Sequence, residues 1–477
     1  MTGRYHLEYA WIGTLTGGAP RLEADVLVEV ADGRFAAVTP GVPAGTAATD
    51  GGLRLPGLTL PGLANAHSHA FHRALRGQAT RGRAGGGTGS FWTWRDGMYA
   101  VADRLDPDTY YRLARAVYAE MALAGITCVG EFHYLHHAPV GVPYPDPNAM
   151  GLALIHAARD AGIRITLLDT LYLTASVDGA PALGIQQRFS DGTPDAWAAR
   201  VAALSASDPA GQPHVRVGVA AHSVRAVPPD ALATVVASAA GRPVHVHLSE
   251  QRAENDACLA KFGRTPTQLL GDHGFLGPTT TAVHATHLAD EDRTLLGDTD
   301  TTVCFCPTTE RELADGIGPA RALVDAGAPL CLGSDSHAVI DMFEEARAIE
   351  MHERLRTELR GHFAAAELVV AATLAGHRAL GWHDAGAIVP GARADLVTVR
   401  LDSVRTAGTD PAAAAVFAAA AADVTHVLVD GNLIVSAGKH TGFDAATALR
   451  DAIATVRPPR ATASGRAPVV ADRTADA

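Results

Sequence analysis

The chain has 477 residues, too many for one small domain and ample for a large core. It is 47% hydrophobic with 48 Gly and 27 Pro, a globular profile, and no apolar stretch approaches the roughly 20 residues that a membrane span needs. The formal net charge is −12 and the basic residues are not clustered, which argues against nucleic acid or a membrane surface as partner and means that an anionic substrate must be held by individual arginines.

In chain order, the opening segment MTGRYHLEYAWIGTLTGG lacks a basic run followed by an apolar one, so a cytoplasmic protein is expected. Residues 24–30 and, after the Asp32-Gly33 turn, 34–38 are predicted as strands. Near the other end, residues 394–399 and the pair joined at Asp430-Gly431 have the same pattern. Residues 1–58 and 386–456 are therefore expected to form one small β-sandwich domain. The Pro-, Ala- and Arg-rich residues 457–477 are expected to be a disordered tail. Cys128, Cys258, Cys304, Cys306 and Cys331 are odd in number and scattered, so no disulfide framework is implied. Cys304 and Cys306 lie in a strand-like run and are expected in the core rather than on a metal.

Residues 59–385 alternate strand with helix. Strands are predicted to end near His69, His133, Leu173, His222, Leu248, His287, Pro307 and Asp335. Helices are predicted over 107–124, 148–161, 229–240 and 319–326. Eight strands in this alternation predict a (β/α)₈ barrel with insertions, an α/β fold of the TIM type. An open doubly wound sheet competes, but no Gly-x-Gly-x-x-Gly follows the first strand. The Gly-rich residues 76–90 lack a phosphate-loop ending and are expected to be a mobile loop near the active site.

Polar residues recur where these strands end. The first gives His67 and His69, two apart and so on one face. The second gives Glu131, His133 and Tyr134; the fourth His222 and Arg225. The fifth gives His245, His247 and Glu250, the sixth His284 and His287, and the eighth Asp335 and His337. The C-terminal rim of a barrel is where active sites lie. Imidazoles with a carboxylate suit one divalent metal, zinc or else iron(II). A metal so held lowers the pKa of bound water from 15.7 to about 7, making hydroxide available at neutral pH. His245 and His247 share a strand face, so spacing leaves the choice between them open. No lysine stands where a bridging ligand is needed, which favours one metal over two.

The runs Leu60–His69, Val244–Gln251 and Leu332–His337 resemble the deaminase-type motifs of the amidohydrolase superfamily, and the resemblance spans nearly the whole chain. Residues 90–95 (SFWTWR), 129–137 (VGEFHYLHH), 283–287 (VHATH) and 306–310 (CPTTE) are similar to the formimidoylglutamate deiminase family of histidine degradation. That family hydrolyses N-formimino-L-glutamate to N-formyl-L-glutamate and ammonia. The resemblance implies a metal held by His67, His69, His247 and Asp335, with His245 behind them or in the core. It implies hydroxide attack on the formimino carbon, with Asp335 as proton acceptor, His284 orienting the hydroxide and Glu250 moving protons to the leaving nitrogen. Arg95 and Arg225 correspond to residues that grip carboxylates, with Tyr134 and His222 as hydrogen-bond partners. A homodimer acting on a small dicarboxylate is implied.

Two departures stand out. His72 occupies a substrate-side position where the family commonly has glutamine, and residues 310–316 (ERELADG) differ at several places. Against each role stands a plainer alternative: a surface ion pair for Arg225, packing on Trp92 and Trp94 for Arg95, a helix-start carboxylate for Glu250 and a buried structural histidine for His284. Two rival functions remain. One is a guanine- or triazine-type aminohydrolase of the same superfamily; the other is a metal-free scaffold.

Overall fold

The computed structural model describes residues 2–44, 52–77 and 91–457. The expected tail beyond residue 457 and residues 78–90 of the Gly-rich segment lie outside them.

Eight parallel strands form the barrel: β5 (Leu63–Ser68), β6 (Ile126–His133), β7 (Arg164–Leu171), β8 (Val215–Ala221), β9 (Val244–Leu248), β10 (Thr280–His284), β11 (Thr302–Phe305) and β12 (Leu330–Leu332). They are numbered after four strands of the N-terminal segment: β1 (Thr2–Ile12), β2 (Arg21–Ala31), β3 (Arg34–Thr39) and β4 (Leu53–Pro61). Each barrel strand pairs with its neighbours in sequence order. The seam between β12 and β5 closes through a Ser68–Asp335 bridge, with Asp335 N–H donating to His67 O at 3.0 Å and His69 N–H to Asp335 O at 3.2 Å. These closing bonds join residues expected to hold the metal. Every position of β6 and β7 is buried, as expected of strands between a filled interior and an outer helical layer.

The helices follow the predicted segments. Pro107–Leu123 starts where Pro fits its first turn, and the Asp106 carboxylate accepts from Thr109 N–H at 2.8 Å. Its buried side, with Tyr110, Leu113, Val117 and Met121, packs on the barrel core. The lower mouth of the barrel is plugged by Ala379, Leu380 and Trp382, which pack with Cys128, Cys304, Cys306 and Cys331. All five cysteines are buried free thiols, as the scattered spacing predicts.

The chain ends build a second, sandwich-like unit. Its eight-stranded sheet adds β13 (Leu396–Val399), β14 (Val424–Val429), β15 (Asn432–Ser436) and β16 (Lys439–His440) in the order β16-β15-β14-β13-β4-β1-β2-β3. Leu7, Val28, Phe35, Leu55, Ile388 and Leu428 are part of its core. The apolar run 58–66 passes between the sheets at Gly62, where an added Cβ would lie 2.4 Å from Thr127 Oγ1. Only glycine fits that crossing. The C-terminal helix Ala445–Val456 packs on Pro107–Leu123. Among the described residues no helix is long and apolar enough to cross a membrane.

Candidate metal centre and binding pocket

The upper strand ends converge on one buried point. His67 Nε2 lies 3.1 Å from His247 Nε2. Asp335 Oδ1 lies 3.4 Å from His67 Nε2 and 3.3 Å from His69 Nε2. All four side chains are buried. Zinc takes nitrogen and oxygen ligands at 2.0–2.2 Å, and a tetrahedron of such bonds has edges of about 3.3 Å. The three separations match those edges. Proton placement agrees: the Phe132 carbonyl accepts from His69 Nδ1–H at 3.0 Å, which leaves the Nε2 lone pair facing Asp335. His67, His247, His284 and Asp335 offer donor atoms within 4.8 Å of one another, and His69 shares Asp335 with His72 in a second such group, so this cluster of donors fits a divalent ion.

Of the two histidines on this strand face, His247 points into the cluster and His245 points away from it. His245 Nε2–H donates downward to Ala379 O at 3.2 Å, in the plug of the lower mouth. A second buried network holds the ligand strand. Ser68 Oγ donates to Glu131 at 2.8 Å, and Ala70 N–H donates to the same carboxylate at 2.7 Å. Burial pushes the Glu131 carboxyl up to about 8. His337 bridges Ser68 Oγ at 3.1 Å and Ser334 Oγ at 2.9 Å, and Asn65 Nδ2 donates to Ser334 Oγ at 2.7 Å. Ser249, His284, Ala285, Asp335 and His337 all have positive φ, between 41° and 69°. Left-handed backbone at five non-glycine residues around one point is strain gathered at the site.

Beside the donors, His284 Nε2 lies 3.9 Å from both Glu250 Oε1 and Asp335 Oδ2, and its Nδ1 lies 3.5 Å from Glu310 Oε1. Burial opposes a charge on His284, but Glu250, Glu310 and Asp335 outweigh it and lift its pKa to about 10. Burial raises Glu250 to about 7, against the pull of His284 and Arg225. Asp335 is held well below the usual carboxylate range because the surrounding histidines outweigh its burial.

The pocket above these groups is lined by nearly every residue expected there: His69, His72, Arg95, Tyr134, His222, Arg225, His247, Glu250, His284 and Asp335. His72 Nε2 is 3.0 Å from Tyr134 Oη, and the His72 ring meets Trp94 edge-on. Burial drives His72 and His222 well below the usual histidine range, so both are neutral. Arg225 is not a surface ion pair. Its side chain is 14% exposed and donates at 3.0 Å to Glu254, itself 3% exposed. Arg95 lies over the Tyr99 ring at 5.4 Å.

Sequence reasoning missed Tyr99, Tyr172, Phe189 and Leu313 in the lining, and Glu254 and Glu310 behind it. Glu254 carries a signal, since it stands one helical turn after Glu250. Not every strand-end histidine serves the centre. His133 and His136 group with Asp169. Asp169 is already held by Arg200 at 2.7 and 2.9 Å and by Trp197 Nε1–H at 2.9 Å, so this cluster is structural.

A family model described as the amidohydrolase family matches residues 58–434. A formimidoylglutamate deiminase of Pseudomonas aeruginosa is 38% identical over 86% of this chain and 91% of its own. A 5-methylthioadenosine/S-adenosylhomocysteine deaminase of Natronomonas pharaonis is 30% identical over 92% and 96%. A crystal structure of an amidohydrolase from Brucella melitensis superposes with a TM-score of 0.86 at 32% identity, covering 95% of this chain and 99% of that one.

Proposed function

This chain belongs to the amidohydrolase family and is a hydrolase of C–N bonds, and from that premise we propose that it is a zinc-dependent deiminase converting N-formimino-L-glutamate to N-formyl-L-glutamate and ammonia. The observation that carries the substrate is the pairing of Arg95 and Arg225 on the wall of the pocket that holds the histidine–aspartate cluster. In a chain of net charge −12, two guanidiniums in one small pocket favour a ligand with two carboxylates. The formimidoylglutamate deiminase relative at 38% identity supports the same reading.

His67, His69, His247 and Asp335 would hold the metal, which when bound supplies a polarised water of lowered pKa. The remaining work falls to side chains. Arg95 and Arg225 hold the two carboxylates, and the neutral rings of His72 and His222 with Tyr134 orient the chain between them. Asp335 takes the proton released as water adds across the formimino C=N bond. Glu250, 3.9 Å from His284, passes protons to the nitrogen until it departs as ammonia and the carbon keeps its oxygen as a formyl group. His284, protonated among three carboxylates, donates to oxygen as charge builds on it.

A second reading rests on the ring-rich lining of Trp94, Tyr99, Tyr134, Tyr172 and Phe189, which suits a flat heterocyclic amine. Ammonia release from zinc-loaded protein separates the two. Turnover of N-formimino-L-glutamate supports the first reading, and release only from purine or triazine amines supports the second.

A further inference from the structure

A larger cavity opens at the opposite end of the barrel. Its volume is about 1000 Å³, and it is lined by residues that begin strands, Val215, Thr281, Thr302 and Leu330 among them, while the metal donors stand where strands end. That volume is at the upper end of the range of small-molecule sites. Much of its wall is apolar, including Val217, Leu330, Phe363, Val370 and Leu374.

Arg216 marks what such a cavity takes. Three guanidiniums stack on the indole of Trp382: Arg216 at 4.3 Å, Arg393 at 4.8 Å and Arg164 at 5.2 Å. Arg164 pairs with Asp395 and Asp430, and Arg393 with Asp384 and Asp430. Arg216 lines the cavity, its side chain makes no hydrogen bond or ion pair with any described residue, and its Nε is buried without an acceptor. Asp384, the carboxylate whose field reaches it, is already held by Arg34 and Arg393. Stacking satisfies the face of a guanidinium and leaves the fork of donors at its edge unused. Arg242 and Arg378 add positive charge to the same wall. Of its two carboxylates, Glu367 pairs with Arg321 and accepts from Ala364 N–H, and Asp300 is exposed.

We propose that this cavity binds a small amphipathic anion, with a carboxylate or phosphate head on Arg216 and a hydrocarbon body between Val217, Leu330, Phe363 and Leu374. The site is separate from the metal-side pocket and independent of the reaction assigned to it. Ala379 lines this cavity, and its carbonyl accepts a hydrogen bond from His245 Nε2–H, two residues before His247, so an occupant lies one hydrogen-bonded contact away from the strand of His247.

The test is calorimetric titration of the metal-loaded full chain with octanoate and, separately, octyl phosphate. Saturable one-to-one binding of either is expected, with 1-octanol at least tenfold weaker, and the tighter head group identifies the ligand class. Arg216→Ala should weaken binding at least tenfold. Ala366→Trp, which fills the cavity and keeps Arg216, should abolish it, and this variant decides alone if Arg216→Ala does not fold. No saturable binding of either anion overturns the proposal. So does wild-type affinity in the folded variants, and so does binding weakened by Arg225→Ala, which places the anion in the metal-side pocket.

Discussion

In Arg225→Ala the pocket loses one of its two guanidiniums while the four side chains proposed to hold the metal keep their places. A hydrogen bond to a charged partner contributes about 1.5–3 kcal/mol net, and a buried guanidinium–carboxylate fork lies toward the upper end. Losing about 2–3 kcal/mol of substrate binding raises KM by about 30- to 140-fold at 1.4 kcal/mol per tenfold. The same change strips Glu254 of its partner at 3.0 Å in a site only 3% exposed. Burial already raises the Glu254 pKa, so the orphaned carboxyl takes up a proton instead of remaining charged. Stability therefore falls, and Arg225→Ala/Glu254→Gln should recover much of it without restoring KM. The assay is steady-state ammonia release from N-formimino-L-glutamate, alongside metal content and melting temperature. A folded, metal-loaded Arg225→Ala enzyme with KM within about threefold of wild type refutes a carboxylate-binding role.

Three further outcomes follow from the geometry. His247→Ala removes a donor from the cluster, so metal per chain should drop at least tenfold and activity with it; chelation of the wild type should do the same, with zinc restoring turnover. In Arg200→Met the carboxylates of Asp169 and Asp191 lose the guanidinium that bridges them, at a cost of about 3–5 kcal/mol in denaturant unfolding at pH 7. Both carboxyls are held below their usual range despite burial, so their contribution is complete above about pH 5 and lost as pH falls below about 4; the wild type should lose stability over that acid range and the variant less. Gly62→Ala forces a Cβ to 2.4 Å from Thr127 Oγ1, and should cost about 1–3 kcal/mol by thermal unfolding while leaving kcat unchanged.

The barrel and the histidine–aspartate cluster on its rim were legible because both rest on short-range rules. Alternation along a strand puts His67 and His69 on one face, and the repeat of strand and helix puts His247 and Asp335 on the same rim. Alternation cannot distinguish His245 from His247. The two differ by depth along the barrel axis, and depth is set by the plug at Ala379, far away in sequence. Glu310, Tyr172 and Phe189 were missed for a related reason. Each follows a strand end in a connecting segment, where direction depends on tertiary packing rather than on periodicity. The parallel pairing of β1 with β4 and the burial of Arg225 against Glu254 likewise depend on contacts between distant segments. The abundance of strand-end histidines overstated the centre, since His133 and His136 lean on the Asp169–Arg200 network.

The central claim is a metal-dependent attack on a dicarboxylate imine, and ammonia release by the zinc-loaded protein from N-formimino-L-glutamate, set beside a panel of purine and triazine amines, tests it most directly. Rapid, chelator-sensitive release from the formimino substrate alone, with N-formyl-L-glutamate as co-product, is the predicted result. Release from a heterocyclic amine with none from N-formimino-L-glutamate contradicts it.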